Sequence, residues 1–126
     1  MTGRSTAVRR VGMVFIGGVV GSGLRWAANE VAGGGSLPWD TFAVNVVGAA
    51  VLGLLLPRLL ALPGDRAVLV VAIGFLGALT TFSALAVDVV ALVDDGRATA
   101  GVGYLLGTVA AGLVVASVGY RIGSRE

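Results

Sequence analysis

The sequence predicts an all-α membrane protein with four transmembrane helices. The chain is 56% hydrophobic and only 13% charged, with a mean hydropathy of +0.96, whereas a soluble domain carries about 25% charged residues. Four apolar segments each approach the roughly 20 residues that a helix needs to cross the hydrocarbon core. Short connectors rich in Gly, Pro and Asp separate these segments and are typical of turns. Because no connector is long enough for a soluble domain, residues 1–126 are predicted to form a single membrane domain.

Each segment is bounded by its own stop signals. The predicted spans cover about residues 11–31, 41–60, 67–93 and 100–122. The first follows a basic start and resembles a signal peptide. It continues past Arg25 without a small-residue cleavage site, so we interpret it as a retained span. Proline, glycine or aspartate follows the end of each of the first three spans, where these residues end helices.

The third span contains an unusual polar interruption, G-F-L-G-A-L-T-T-F-S at residues 74–83. Backbone polar groups at membrane depth must be paired, and non-helical backbone is tolerated there only inside protein or beside a wet cavity. Discontinuous helices in membrane proteins commonly provide ion or substrate sites near the midplane. The sequence therefore predicts a third helix that is broken near the midplane and carries such a site.

The composition excludes several classes of function. The chain has no cysteine and no histidine, so disulfides, thiolate or imidazole metal sites and histidine-based catalysis are excluded. No side chain is available to activate a hydroxyl nucleophile, and we predict that the protein is not an enzyme. The net charge of +2 comes from nine arginines that are scattered between the spans, which predicts no nucleic-acid partner.

The arginines also predict an orientation. With four spans, both termini and the second connector lie on one side of the membrane, together with seven arginines: Arg4, Arg9, Arg10, Arg58, Arg66, Arg121 and Arg125. The opposite side has Arg97, and Arg25 near the end of the first span. The positive-inside rule therefore places both termini in the cytoplasm. We predict a multi-pass protein of the plasma (inner) membrane.

Few polar residues lie at membrane depth, and each has two interpretations. The Asn45 amide offers N–H donors to an anion or forms an interhelical hydrogen bond. The positive ring edge of Phe82 can face an anion, or the ring only packs against lipid. Unwound carbonyls at Gly77 and Thr80 could coordinate a hard cation. Arg25 either serves the site or extends to the membrane interface.

Three motifs together resemble a known family. They are G-G-V-V-G-S-G-L-R-W at residues 17–26, T-F-A-V-N-V-V-G at residues 41–48, and the interruption at residues 74–83. In order and spacing they resemble the signatures of the Fluc/CrcB fluoride channels. The resemblance implies an antiparallel dimer in the lipid bilayer, with two fluoride pores along the subunit interfaces and a structural sodium ion at its centre. It also implies passive export of fluoride from the cytoplasm.

The resemblance assigns roles by position. Backbone carbonyls of Gly77 and Thr80 would bind the sodium ion, and Arg25 matches the arginine that ends the first motif, beside the vestibule. The fluoride pore would be lined by Asn45, Thr81, Phe82, Ser83, Tyr104 and Thr108.

The chain departs from the family pattern at one place. The family continues T-T-F-S-T-F, whereas this chain has T-T-F-S-A-L, with Ala84 and Leu85. A homodimer would lack the second phenylalanine ring in both pores. A homodimeric antiparallel channel must also insert both ways, but seven arginines against two favour one orientation. We therefore expect a heterodimer with a related, oppositely inserted subunit, with a homodimer as the alternative.

Two other functions are considered. A small four-span multidrug-type exporter would need a carboxylate within the first span, where only Glu30 at the end is acidic. A non-conducting membrane assembly subunit would show no flux with any partner. The polar residues around the interruption favour the channel over both.

Overall fold

The computed structural model describes residues 2–125 and has four helical spans. They begin with α1 (Thr2–Ala32) and α2 (Trp39–Ala61) and end with α5 (Ala98–Gly123). The third span has two parts. A π-helical segment, Val68–Leu76, continues into one α-helical turn, Gly77–Leu79, and we call these together α3; α4 (Phe82–Asp94) follows. All four spans are long and apolar enough to cross a membrane, which confirms the predicted fold class.

The connectors turn on glycines. Gly34, Gly64 and Gly96 have positive φ angles of 94°, 84° and 75°, a backbone conformation that glycine adopts without steric cost. The first and third connectors are also joined to each other, because the Arg97 guanidinium donates a hydrogen bond of 2.6 Å to the Ser36 carbonyl. These contacts hold the ends of α1, α2, α4 and α5 together on the side opposite the termini.

Glycines bring the helices into backbone contact. A Cβ atom added to Gly53 on α2 would overlap the carbonyl oxygen of Ala116 on α5. A Cβ added to Gly17 on α1 would overlap the carbonyl oxygen of Val70 on α3. Small residues at such positions allow membrane helices to approach closely without a hydrophobic driving force. The protomer is thus built from two tight pairs, α1 with α3 and α2 with α5.

The buried core is small and lies in two clusters. The first, Val44, Leu76 and Leu79, joins α2 to α3; the second, Leu85, Leu92 and Tyr104, joins α4 to α5. Large apolar side chains on the outer helix faces are exposed instead, such as Phe15 at 69%. Exposed apolar faces are expected where lipid or another subunit, instead of water, surrounds the helices.

The third span is interrupted near its middle. The helical backbone of α3 ends at Leu79, and Thr80 (φ −77°, ψ 151°) and Thr81 (φ −149°, ψ 120°) are extended. The helix begins again at Phe82. The Thr80 N–H keeps its helical partner, the Leu76 carbonyl, at 3.0 Å. The Thr81 N–H lies inside the same 27-residue span, Val68–Asp94, and needs a partner outside the helix ladder.

Candidate functional site

The Asn45 side chain provides the partners for the extended backbone. Its Nδ2 atom donates a hydrogen bond of 2.9 Å to the Thr81 carbonyl, and its Oδ1 atom accepts one of 2.7 Å from the Thr81 N–H. One side-chain amide thus pairs with both backbone polar groups of a residue that is 36 positions away in sequence. Asn45 therefore forms the interhelical hydrogen bonds that were one of its two interpretations, and these bonds join α2 to the break.

Two backbone carbonyls lose their helical donors at the break. In a continuous α-helix the N–H of Thr81 would donate to the Gly77 carbonyl, but it donates to Asn45 instead. Likewise the N–H of Ala84 would donate to the Thr80 carbonyl, but it donates to the Thr81 hydroxyl over 3.1 Å. The Gly77 and Thr80 carbonyl oxygens therefore lose their helical donors. These are the two carbonyls that the sequence predicts as cation ligands.

The break also brings two helix ends of opposite polarity together. The carboxyl end of a helix carries partial negative charge and the amino end carries partial positive charge. α3 ends at Leu79 and α4 begins at Phe82, so both kinds of end meet within three residues. The first turn of α4 has N–H groups without helical partners, and Thr81 caps only one of them. The partial charges at the two helix ends are thus negative on one side of the break and positive on the other.

An open groove of about 360 Å³ runs beside the break between α2, α4 and α5. It brings together five of the predicted site residues: Asn45, Thr80, Thr81, Phe82 and Thr108. The Phe82 ring is 74% exposed in the protomer, and the second N–H of the Asn45 amide is not used in the Thr81 pair. We call this the pathway groove. It combines one amide donor, a phenyl ring and apolar walls.

A second cavity, of about 390 Å³, lies toward the connectors between α1 and α2 and between α4 and α5. Arg25 and Ser83, both predicted as site residues, line it, and Thr81 lines both this cavity and the pathway groove. Ser83 and Thr81 share a hydroxyl hydrogen bond of 3.1 Å. The polar residues around the break therefore face two spaces, which share Thr81 as a lining residue.

Two residues of this cavity escaped the sequence prediction. Asp88 lines it, and among residues 2–125 its Oδ2 atom is buried without a hydrogen-bond partner. Thr41, which is buried, lines it as well. Thr41 lies four residues before Asn45 and hence on the same face of α2, a spacing that could have identified it. Asp88 follows the break by about two helical turns, and it meets this cavity only because α1 and α2 pack beside α4.

Tyr104 and Thr108 take structural positions on α5. The Tyr104 hydroxyl donates a hydrogen bond of 2.9 Å to the Pro38 carbonyl, and Thr108 donates one of 2.7 Å to the Tyr104 carbonyl. Both side chains are buried. Thr108 lines both the pathway groove and another groove beside Trp39 and Phe42, and Tyr104 lines the latter. Their roles in a pore stay predictions.

Comparison with known proteins identifies the family. The family model described as "CrcB-like protein, Camphor Resistance (CrcB)" matches residues 12–120, which include all three motifs and every candidate site residue. The chain belongs to the CrcB-like family. The resemblance predicted from the motifs is thereby confirmed.

Curated relatives of this CrcB-like chain cover nearly its whole length. "Fluoride-specific ion channel FluC" of Thermus thermophilus is 40% identical over 121 residues, which are 92% of this chain and 94% of that protein. "Fluoride-specific ion channel FluC 2" of Listeria innocua is 36% identical over 114 residues, covering 89% and 88%. "Fluoride-specific ion channel FluC" of Rhizobium johnstonii is 41% identical over 112 residues, covering 84% and 87%.

The amide of Asn45 generates a prediction for this CrcB-like chain. In Asn45→Asp a carboxylate oxygen would face the Thr81 carbonyl oxygen and repel it, so we expect the free energy of unfolding to fall by about 2–3 kcal/mol. Thermal unfolding in detergent, followed by the fluorescence of Trp26 and Trp39, measures this. The matched control is Asn29→Asp, the same change at an exposed residue. Equal melting temperatures for the two variants would contradict the bridging role of the amide.

Proposed function

We propose that this chain is a subunit of a fluoride-selective channel that exports cytoplasmic fluoride passively. The observation that carries the proposal is the pathway groove, where the unused amide N–H of Asn45 and the exposed ring of Phe82 lie beside the amino end of α4. The names of the curated relatives, which are fluoride-specific ion channels, support it. We propose ion conduction and no catalysed reaction.

The chemistry of the groove suits a small, strongly hydrated anion. Conduction requires binding that is favourable enough for entry and weak enough for exit. The groove offers one amide N–H, the positive edge of an aromatic ring and the partial positive charge of a helix amino end, and it offers no full positive charge. Such donors replace water around fluoride without trapping it. Fluoride that enters cells as the neutral acid and ionises inside would then leave down its gradient.

The open side of the groove supports an assembly of two subunits. Four helices leave the groove uncovered, and the Phe82 ring stays 74% exposed, so a second subunit is needed to close a conduction path. We propose an antiparallel dimer in the lipid bilayer, as the resemblance implies. Leu85, which is 3% exposed and packs against Leu92 and Tyr104 in its own protomer, lines this groove with an aliphatic side chain that has no ring edge.

We further propose that the partner is a related subunit in the opposite orientation. Seven arginines lie at the end of the helical bundle that carries both termini, and two lie toward the other end. This imbalance favours a single orientation with cytoplasmic termini in the plasma (inner) membrane. An antiparallel dimer of chains with one fixed orientation requires two different chains. The partner would also supply the ring that Leu85 lacks.

The released carbonyls of Gly77 and Thr80 fit a structural sodium ion. Both have lost their helical donors, and hard cations prefer oxygen ligands. The described residues include no group of three or more His, Cys, Asp or Glu side chains that could hold a metal, so backbone oxygens are the natural donor set. Bound sodium would supply a positive charge that stabilises carbonyl oxygens converging from two subunits. The hydrogen bonds between Asn45 and Thr81 keep the break open without the ion.

The ring of Phe82 provides the direct test of the pathway. Phe82→Ile removes the ring edge but keeps an apolar side chain, so we expect fluoride efflux from liposomes to fall at least about tenfold while dimer assembly persists. A fluoride-selective electrode measures the efflux, for the chain alone and with its candidate partner. The control is Phe15→Ile on the exposed face of α1. If the Phe82→Ile variant, in whichever assembly conducts, released fluoride at the wild-type rate, Phe82 would not be part of the pathway.

Single cysteines test the proposed orientation, since the chain has none of its own. Ser36→Cys lies in the first connector and Ser124→Cys follows α5, so the pair reports on opposite sides of the membrane. We expect a membrane-impermeant maleimide to label Ser36→Cys in intact cells and Ser124→Cys only after permeabilisation. Half-labelling of both variants in intact cells would indicate dual insertion and would support the homodimer instead.

Thermal stability in different salts tests the sodium site. A ligand that binds only the folded state stabilises it by an amount that grows logarithmically with the ligand concentration relative to the dissociation constant. We expect the purified dimer to melt at a higher temperature in sodium chloride than in potassium or N-methylglucamine chloride at the same ionic strength. Identical melting temperatures in the three salts, including after prolonged dialysis, would argue against a sodium ion at the carbonyls of Gly77 and Thr80.

A further inference from the structure

A third groove, of about 430 Å³, lies between α2 and α5 at the end of the bundle that carries both termini. Its shaft is apolar, with Leu52, Leu56 and Ala116, and its outer end is polar, with Tyr120 and Arg121. We propose that this groove binds an anionic phospholipid. An acyl chain would lie along the shaft, and the phosphodiester would contact Arg121 and the Tyr120 hydroxyl.

The depth of the polar end matches the headgroup region of a bilayer. Tyr120 and Arg121 follow Thr108 by 12 and 13 residues on the same helix, which is about 18–20 Å at 1.5 Å per residue. Thr108 lies beside the break near the middle of the spans, and the hydrocarbon half-thickness is about 15 Å. Tyr120, which is 50% exposed, therefore lies where aromatic residues are enriched in membrane proteins.

The charge at this end is unbalanced. The Arg121 guanidinium has no hydrogen bond or ion pair with any of residues 2–125. Asp65 is on the same side but pairs with Arg10 over 2.7 Å. Seven arginines against two acidic residues, Asp65 and Glu126, lie on this side in the sequence, so its net charge is positive. Basic pockets between membrane helices are typical binding sites for anionic headgroups, and an unpaired Arg121 above an apolar shaft has this form.

The alternative occupant is the second subunit. The groove shares Leu52 and Ala116 with the pathway groove, so the two are continuous along one face. The lipid is favoured by the polarity of this groove, which is apolar at membrane depth and cationic only at its outer end. The proposal does not depend on which ion the protein conducts, and its test requires no flux measurement.

Native mass spectrometry of the purified assembly tests the site. The probes are dioleoylphosphatidylglycerol and, as the neutral reference, dioleoylphosphatidylcholine, each titrated from detergent. We expect the wild type to bind phosphatidylglycerol preferentially and Arg121→Gln to weaken that binding about fivefold. Arg121→Lys should retain most of it. The matched control is Arg125→Gln, which removes one charge from the same end but outside the groove, and should leave the affinity unchanged.

Three results would overturn the proposal. Equal affinity for the two lipids would show that no anionic site exists. Equal weakening by Arg121→Gln and Arg125→Gln would show diffuse attraction to the charged surface rather than a site in the groove. Lipid that binds the monomer but is displaced when the dimer forms would assign the groove to the subunit interface.

Discussion

The hydrogen bonds between the Asn45 amide and Thr81 are the interaction on which the rest of the site depends. Two unpaired backbone groups inside a membrane would each cost several kcal/mol, and the helix around them would close into a regular ladder. Asn45 satisfies both groups at 2.9 and 2.7 Å. Thr81 is therefore fully paired at the interruption, whereas the Gly77 and Thr80 carbonyls are left without their helical donors. Thr81 needs neither water nor a ligand to complete these two hydrogen bonds.

One consequence is that opposite electrostatic preferences lie side by side. Because the Thr81 N–H is diverted to Asn45, the Gly77 carbonyl loses its donor at the negative end of α3. Because the Thr81 hydroxyl caps Ala84, α4 starts immediately with its positive end. Backbone dipoles alone would thus favour a cation on one side of the break and an anion on the other. The proposed ion sites therefore require no charged side chain in this segment.

Much of the fold, and less of the site, was predictable from sequence. Hydropathy and the connector residues predict four spans, and the polar interruption at residues 74–83 predicts where regular helix fails, because both signals are local. The partner of the interruption is not local, since Asn45 and Thr81 are 36 residues apart and only the packing of α2 against the break pairs them. The same reason applies to the Tyr104 hydroxyl, which bonds to Pro38 across 66 positions, and to Asp88, whose place on a cavity depends on α1 and α2.

The same amide also bears on how strongly an anion would be bound. The two hydrogen bonds to Thr81 restrict the Asn45 side chain to one rotamer, so its remaining N–H points in a set direction without further loss of conformational entropy. A donor that is oriented before the ion arrives does not need to reorganise, and its strength stays that of a single neutral hydrogen bond. Fluoride could then exchange a water molecule for a donor of similar strength at this position. The contact that holds the break open would in this way also keep the anion weakly bound, which is the condition for rapid conduction.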